Sequence, residues 1–184
     1  MQVTSSSKGL AVWFTGLSGA GKTTLCRALR PILLDLGYPV EILDGDEMRQ
    51  CVSRDLGYSR VDRNENVYRI GCVAEFLVQQ EMIVLVAAIS PYRAARDRVR
   101  YQIGSFLEVY VNASLATCMA RDPKKLYARA LAGEVRNLTG MDDPYEPPLN
   151  PDVECDTEKE SCCESMIKVL EAIRDAQQER RFTC

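Results

Sequence analysis

The chain has 184 residues, 46% hydrophobic and 27% charged, the balance of a globular protein with one substantial core. A net charge of −3 argues against a general nucleic-acid binder, which carries a basic surplus, so any anion site must be a local concentration of Arg and Lys. The polar start MQVTSSSKG does not read as a secretory signal, and the apolar runs at 10–15 and 82–89 are too short to span a bilayer. A cytoplasmic protein without membrane or nucleic-acid partners is expected.

After a flexible N-terminus over residues 1–9, LAVWFTG (10–16) reads as a buried strand. TTLCRALRPILLDLG (23–37) reads as a helix closed by Gly37, with a kink or early break near Arg27–Pro31 because proline lacks the amide that continues the ladder. PVEILDGD (39–46) is a second strand, and a helix runs from about Val61 to Gln80. EMIVLVAAISP (81–91), short and β-branched, suits a central strand buried on both faces. A basic helix follows from Tyr92 to about Ile103, then the strand FLEVYVN (106–112) and a short helix over Ser114–Ala120 with Ser114 as its N-cap. Residues 121 to about 151 are charged and rich in Gly and Pro, and read as a mobile flap; Glu158–Arg180 reads as a closing amphipathic helix. The alternation implies a parallel sheet covered by helices on both faces, within one domain spanning 1–184.

There is no histidine, so a general base must be a carboxylate or a less usual group, and a zinc site is not expected. Of the eight cysteines, Cys26, Cys51, Cys72 and Cys118 sit in apolar or helical patterns, while Cys162, Cys163 and Cys184 fall near the C-terminus, where surface positions are expected.

GLSGAGKT (16–23) fits G-x-x-x-x-G-K-[ST] between a predicted strand and a predicted helix, the context that makes the pattern a phosphate loop. Its backbone amides turn inward around phosphate oxygens, with the helix dipole behind them. Lys22 is expected to reach the β- and γ-phosphates, and Thr23 to offer its hydroxyl to Mg²⁺. No N-K-x-D occurs to read guanine, and IVLVAAISP ends in Ser90–Pro91 where many ATPases place a metal-holding Asp. The acids instead close the second strand in LDGD (43–46). Asp46 is the favoured catalytic carboxylate and metal contact, Asp44 the second candidate; the plainer reading is that Asp46 only caps the next helix. In the flap, Arg121, Lys124, Lys125 and Arg129 fall within nine residues, with Arg136 later, a placement suited to neutralising a transferring phosphoryl group.

FTGLSGAGKTT (14–24), LDGDEMR (43–49), DLGYSRVDRNENVYRIG (55–71), AAISPYRAARDRVR (87–100), the run 106–140 and MDDPYEPPLNPD (141–152) together resemble the adenylylsulfate kinases, from about Ala11 to Thr157. The resemblance implies a P-loop kinase-like three-layer α/β fold, with about five parallel strands and a mobile lid. It implies ATP-dependent phosphorylation of the 3′-hydroxyl of adenosine 5′-phosphosulfate, with Mg²⁺ as cofactor and a homodimer as assembly. Position by position, Gly16, Ser18, Gly19, Ala20, Gly21, Lys22, Thr23 and Thr24 would bind ATP phosphates, Arg121 would bind ATP from the flap, and Cys155 and Thr157 would lie toward its adenine. Arg49, Arg63 and Asn66 would grip the acceptor's phosphosulfate and ribose. Tyr58 would stack on its adenine. Asp44, Asp46, Ile89, Ser90, Pro91, Tyr92, Lys124 and Leu138 would complete the acceptor pocket. Lys22, Asp46 and Ser90 stand at the catalytic positions; the family's descriptions make Ser90 a phosphoserine intermediate, although direct in-line transfer needs no covalent step.

Three positions depart from the family pattern. Leu138 stands where Phe is usual and removes one aromatic wall of the adenine sandwich, Tyr58 replaces a Phe, and Lys125 replaces a Gly. A kinase acting on another adenylate-like or sugar acceptor is the second reading that these changes leave open. In GYSRVDRNENVYRIG (57–71), Glu65 and Arg69 are spaced to pair along a helix, while Arg63 and Asn66 share a face that could meet the acceptor.

Overall fold

A computed structural model describes residues 8–179; residues 1–7 and 180–184, with Arg180 and Cys184 among them, lie outside the described residues. The elements run β1 (Leu10–Thr15), α1 (Lys22–Asp35), β2 (Val40–Asp44), α2 (Gly45–Cys51), α3 (Arg60–Gln79), β3 (Ile83–Ala87), α4 (Arg93–Ile103), β4 (Phe106–Asn112), α5 (Leu115–Arg121), α6 (Leu126–Leu131), β5 (Val153–Asp156) and α7 (Cys162–Glu179). Five strands form one sheet in the order β2-β3-β1-β4-β5, and every neighbouring pair is parallel.

Alternation along β1 divides the core. Leu10, Val12 and Phe14 face one side, packed with Leu25, Cys26, Leu29 and Leu33 of α1 and Val169 and Ile173 of α7. Ala11 and Trp13 face the other, packed with Val67, Ile70 and Ala74 of α3 and Ala95 and Val99 of α4. A strand buried on both faces needs apolar residues at every position, which is why LAVWF reads as an unbroken run. β1 occupies the middle of the sheet; β3, the more hydrophobic run, lies beside it and is buried throughout.

Several features differ from the sequence reading. α1 runs through Pro31 without the expected break. Arg27 and Pro31 are both exposed, so water can take the Arg27 carbonyl that proline cannot bond. A fifth strand, β5, lies in VECD, too short for its alternation to stand out, and α2 follows β2 directly. The segment 121–151 is more built than a bare flap: it holds α6, and Tyr127, Leu138 and Thr139 within it are buried. α7 starts at Cys162 rather than Glu158, because residues 157–160 form a turn in which Lys159 and Glu160 donate their amides to the Asp156 carbonyl.

α3 begins where its sequence says it should. Ser59 and Asp62 form a reciprocal capping box, each side chain taking the other's backbone amide. Arg69 donates to its expected i,i+4 partner Glu65 at 2.9 Å, and also clamps both carboxylate oxygens of Asp55 and the Val52 carbonyl, tying the α2–α3 loop to α3.

Candidate active site

Because all strands are parallel, the loops after β1, β2 and β3 emerge at one edge of the sheet, where open α/β sheets bind ligands. They line a cleft of about 1660 Å³ that also takes in α2, the start of α3 and the 121–151 segment.

At one end lies the phosphate loop. Gly16 and Gly19 have φ of 151° and 80°; a Cβ at Gly16 would sit 2.4 Å from the Val111 carbonyl oxygen, and one at Gly19 3.0 Å from that of Cys118. No side chain caps the first amides of α1, so they remain open toward the cleft, a geometry that fits phosphate oxygens. Lys22 folds back over the loop, its Nζ donating to the carbonyls of Gly16 (2.8 Å) and Leu17 (2.7 Å). Burial, reinforced by the nearby Lys124 charge, lowers its pKa to about 8. The loop is braced from behind. Tyr127 of α6 donates to the Ser18 carbonyl (3.0 Å), and Arg121 donates to the hydroxyl and carbonyl of Thr157 (3.0 and 2.6 Å), whose hydroxyl in turn reaches the Ala20 carbonyl.

The acids divide their duties differently from the sequence reading. Asp44 caps α2, accepting the Asp46 amide at 2.9 Å, and its other oxygen accepts the Thr23 hydroxyl at 2.7 Å. The structure thus brings Asp44, rather than Asp46, onto Thr23. A hydroxyl and a carboxylate beside the phosphate loop are hard oxygen donors that fit a divalent cation such as Mg²⁺. Asp46, also on the cleft wall, pairs instead with Lys124 of the 121–151 segment, which lines the same cleft.

At the other end of the cleft, α2 and α3 bring together Arg49, Tyr58, Arg63 and Asn66. The Arg49 guanidinium lies 4.4 Å from the Tyr58 ring centroid and donates to the Gly57 carbonyl at 2.8 Å. Arg63, buried, donates to the carbonyls of Tyr58 and Asn137 and lies 3.4 Å from Asp143. Asn66 is buried with its Oδ1 unpaired, an acceptor left available to a donor entering the cleft. Ile89, Ser90 and Pro91 form a wall of the same cleft. Ser90 is buried in a left-handed backbone (φ 41°); its hydroxyl accepts Trp13 Nε1 at 3.0 Å and donates to the Ala88 carbonyl.

The match to the adenylylsulphate kinase family model extends over residues 8–156. This chain belongs to the adenylylsulphate kinase family. It is 56% identical over 167 residues to the adenylyl-sulfate kinase of Synechococcus sp. (strain JA-3-3Ab), covering 91% of this chain and 95% of that one. The Mycobacterium tuberculosis APS kinase CysC, solved in complex with AMPPNP and APS, superposes with a TM-score of 0.86 at 40% identity, covering 91% and 98% of the two chains. The hexameric APS kinase from Thiobacillus denitrificans superposes at 0.70 and 34% identity over 93% of this chain and 30% of that one.

Two residues assigned by the family resemblance lie elsewhere. Cys155, expected near the ATP adenine, is fully buried in the core under β5, where its Sγ donates to the Ser165 carbonyl and burial pushes its pKa up to about 11. Glu160, Cys162 and Ser165, just beyond it, line that end of the cleft instead. Tyr92 is buried outside the cleft, its hydroxyl donating to Asp143 (2.8 Å) and its ring beneath the Arg60 guanidinium. Strand alternation explains the first: Val153 and Cys155 point into the core, so the outward position passes to their neighbours.

The departures from the family pattern also find their places. Leu138 is buried in the cleft wall, joined to the apolar cluster on the α1 side. Tyr58 is 59% exposed, with the Arg49 guanidinium 4.4 Å and the Arg63 guanidinium 5.7 Å from its ring centroid. Lys125 caps α6 in a left-handed backbone, φ 54°, a conformation glycine adopts without strain.

Proposed function

We infer that the chain transfers the γ-phosphoryl group of ATP to the 3′-hydroxyl of adenosine 5′-phosphosulfate, forming ADP and 3′-phosphoadenosine 5′-phosphosulfate. The observation that carries this reading is one continuous cleft. It holds a phosphate loop at one end, the Arg49–Tyr58–Arg63–Asn66 cluster at the other, and Asp44 and Asp46 on its wall. The loop amides and Lys22 hold the ATP phosphates, which displaces Lys22 from the carbonyls it occupies now. Thr23 and Asp44 would hold Mg²⁺, which when bound supplies charge neutralisation at the phosphates. Asp46 receives the proton of the acceptor hydroxyl, released from Lys124 as that cation turns to the transferring group. Arg49 and Arg63 grip the phosphosulfate, and Tyr58 offers its face to adenine. The Ser90 hydroxyl, already held by Trp13 and Ala88, shapes the wall rather than carrying phosphate.

The whole chain reads as one domain with 121–151 as its lid, acting as a cytoplasmic homodimer. Among the described residues no helix is long and apolar enough to cross a membrane. A coupled ADP-release assay with Mg-ATP and intact adenosine 5′-phosphosulfate tests the assignment; absence of turnover refutes it. In the same assay Asp46→Asn should lower kcat about 10²–10⁴-fold with ATP affinity unchanged, as loss of a general base does. Asp44→Asn should instead raise the Mg²⁺ concentration needed for half-maximal rate. The reverse pattern would exchange the two roles.

A further inference from the structure

Three successive carbonyls of the cleft wall are each held by a different part of the chain. The Ile89 carbonyl accepts the Thr15 hydroxyl of β1 at 2.8 Å. The Ser90 carbonyl accepts Arg96 Nη1 of α4 at 2.7 Å, and the Pro91 carbonyl accepts the Glu146 amide at 2.8 Å. Arg96 is the member that joins the others. Its guanidinium is 2% exposed, and each nitrogen has its own partner. Nε donates to Glu108 of β4, Nη1 to the Ser90 carbonyl and Nη2 to the Glu146 carbonyl, all at 2.7 Å. Glu146 lies in the returning end of the 121–151 lid, and its carboxylate also accepts the Arg93 amide.

We propose that Arg96 is a positioning residue for the acceptor: its fork sets the Ile89–Pro91 wall against the returning end of the lid. The role rests on the functional reading above and follows from geometry. Ser90 is a non-glycine residue held in a left-handed backbone, which persists only where its surroundings over-determine it. Trp13 and the Ala88 carbonyl hold its hydroxyl, and Arg96 at 2.7 Å, with the Thr15 hydroxyl farther off at 3.5 Å, holds its carbonyl. A lysine at 96 would keep the charge beside buried Glu108, but its donors share one compact nitrogen and cannot span three acceptors that each meet a different nitrogen of the planar fork. Arg96 touches no part of the cleft lumen, so its effect passes through the wall it holds.

The test separates wall from stability. Arg96→Lys should raise the KM for adenosine 5′-phosphosulfate by about tenfold or more, with the KM for ATP within about twofold, since a displaced wall misplaces the acceptor and not the phosphate loop. Arg96→Met/Glu108→Leu removes the buried pair together, so that neither charge is stranded, and should show the same split even if Arg96→Lys fails to fold. Calorimetric titration of acceptor into ATP-free protein should show the same loss of affinity. An unchanged acceptor KM in a folded variant, or equal losses for ATP and acceptor, overturns the proposal. Wild-type protein that turns over no adenosine 5′-phosphosulfate overturns the functional reading instead.

Discussion

Lys22 shows how much a single charge depends on its surroundings. Burial and Lys124 bring its pKa from the usual 10.5 to about 8, while Asp44 and Asp46 pull the other way and lose. Phosphate oxygens favour the charged form, so ATP binding must raise this value again. ATP affinity should therefore hold steady below about pH 8 and fall by up to about tenfold per pH unit above it. Near pH 8 to 9 binding should take up protons, seen as a dependence of calorimetric enthalpy on buffer ionisation heat. The contribution to folding runs oppositely: between about pH 8 and 10.5 the unfolded chain keeps a proton the folded chain has lost, so this group makes the fold more stable as pH rises. Proton release on binding would contradict the assignment. The lysine and its loop were legible because GLSGAGKT is contiguous. The division between Asp44 and Asp46 was not, since both stand in one short LDGD run and only the position of Thr23 separates them.

Among the elements, those whose signals are local came through. The Ser114 cap, read from the sequence, starts α5 by accepting the Thr117 amide three residues on; the Ser59–Asp62 box, which the sequence reading did not single out, starts α3 in the same way. Elements of few residues did not come through: VECD has room for a single alternation, and α2 begins at Gly45, immediately after β2 ends at Asp44. α6 carries the clearest local conflict, because Lys125 takes a left-handed backbone that costs a non-glycine residue about 1 kcal/mol. Lys125→Gly should relieve that strain and slow amide hydrogen exchange across Leu126–Leu131, by about two- to fivefold for a gain approaching 1 kcal/mol. Faster exchange there would mean that the added freedom of glycine in the unfolded segment outweighs the relief. The departure from the family's glycine thus has a backbone consequence that no side-chain comparison reveals.

At the scale of the whole molecule, two apolar layers on opposite faces of the sheet hold the three parallel strand ends in register, and the cleft exists only because of that register. In the α3–α4 layer Gly71 sits hard against Val99: a Cβ there would lie 2.6 Å from Val99 Cγ1. Val99 is fully buried and β-branched, with little freedom to turn aside. Gly71→Ala should cost about 1–3 kcal/mol through overpacking, partly offset by alanine's helix preference of about 1 kcal/mol. Thermal unfolding should read a lower Tm, with Val99→Ala costing less in the Gly71→Ala background than alone; simple additivity would deny the contact.

By itself the sequence determined the chemistry it encodes contiguously: a phosphate loop between strand and helix, a pair of acids after the second strand, and an Arg63–Asn66 face on one helix. These need only neighbours along the chain, and periodicity or spacing records them. Tertiary structure alone decided that β1 and not β3 is the middle strand, and that Cys155 faces the core. It also decided that Tyr92 serves Asp143, and that Arg96 ties Ser90 to Glu146. Each of those outcomes joins residues far apart in the chain through one buried contact. Burial then fixes their direction, because a polar group removed from water must find a partner wherever the fold places one.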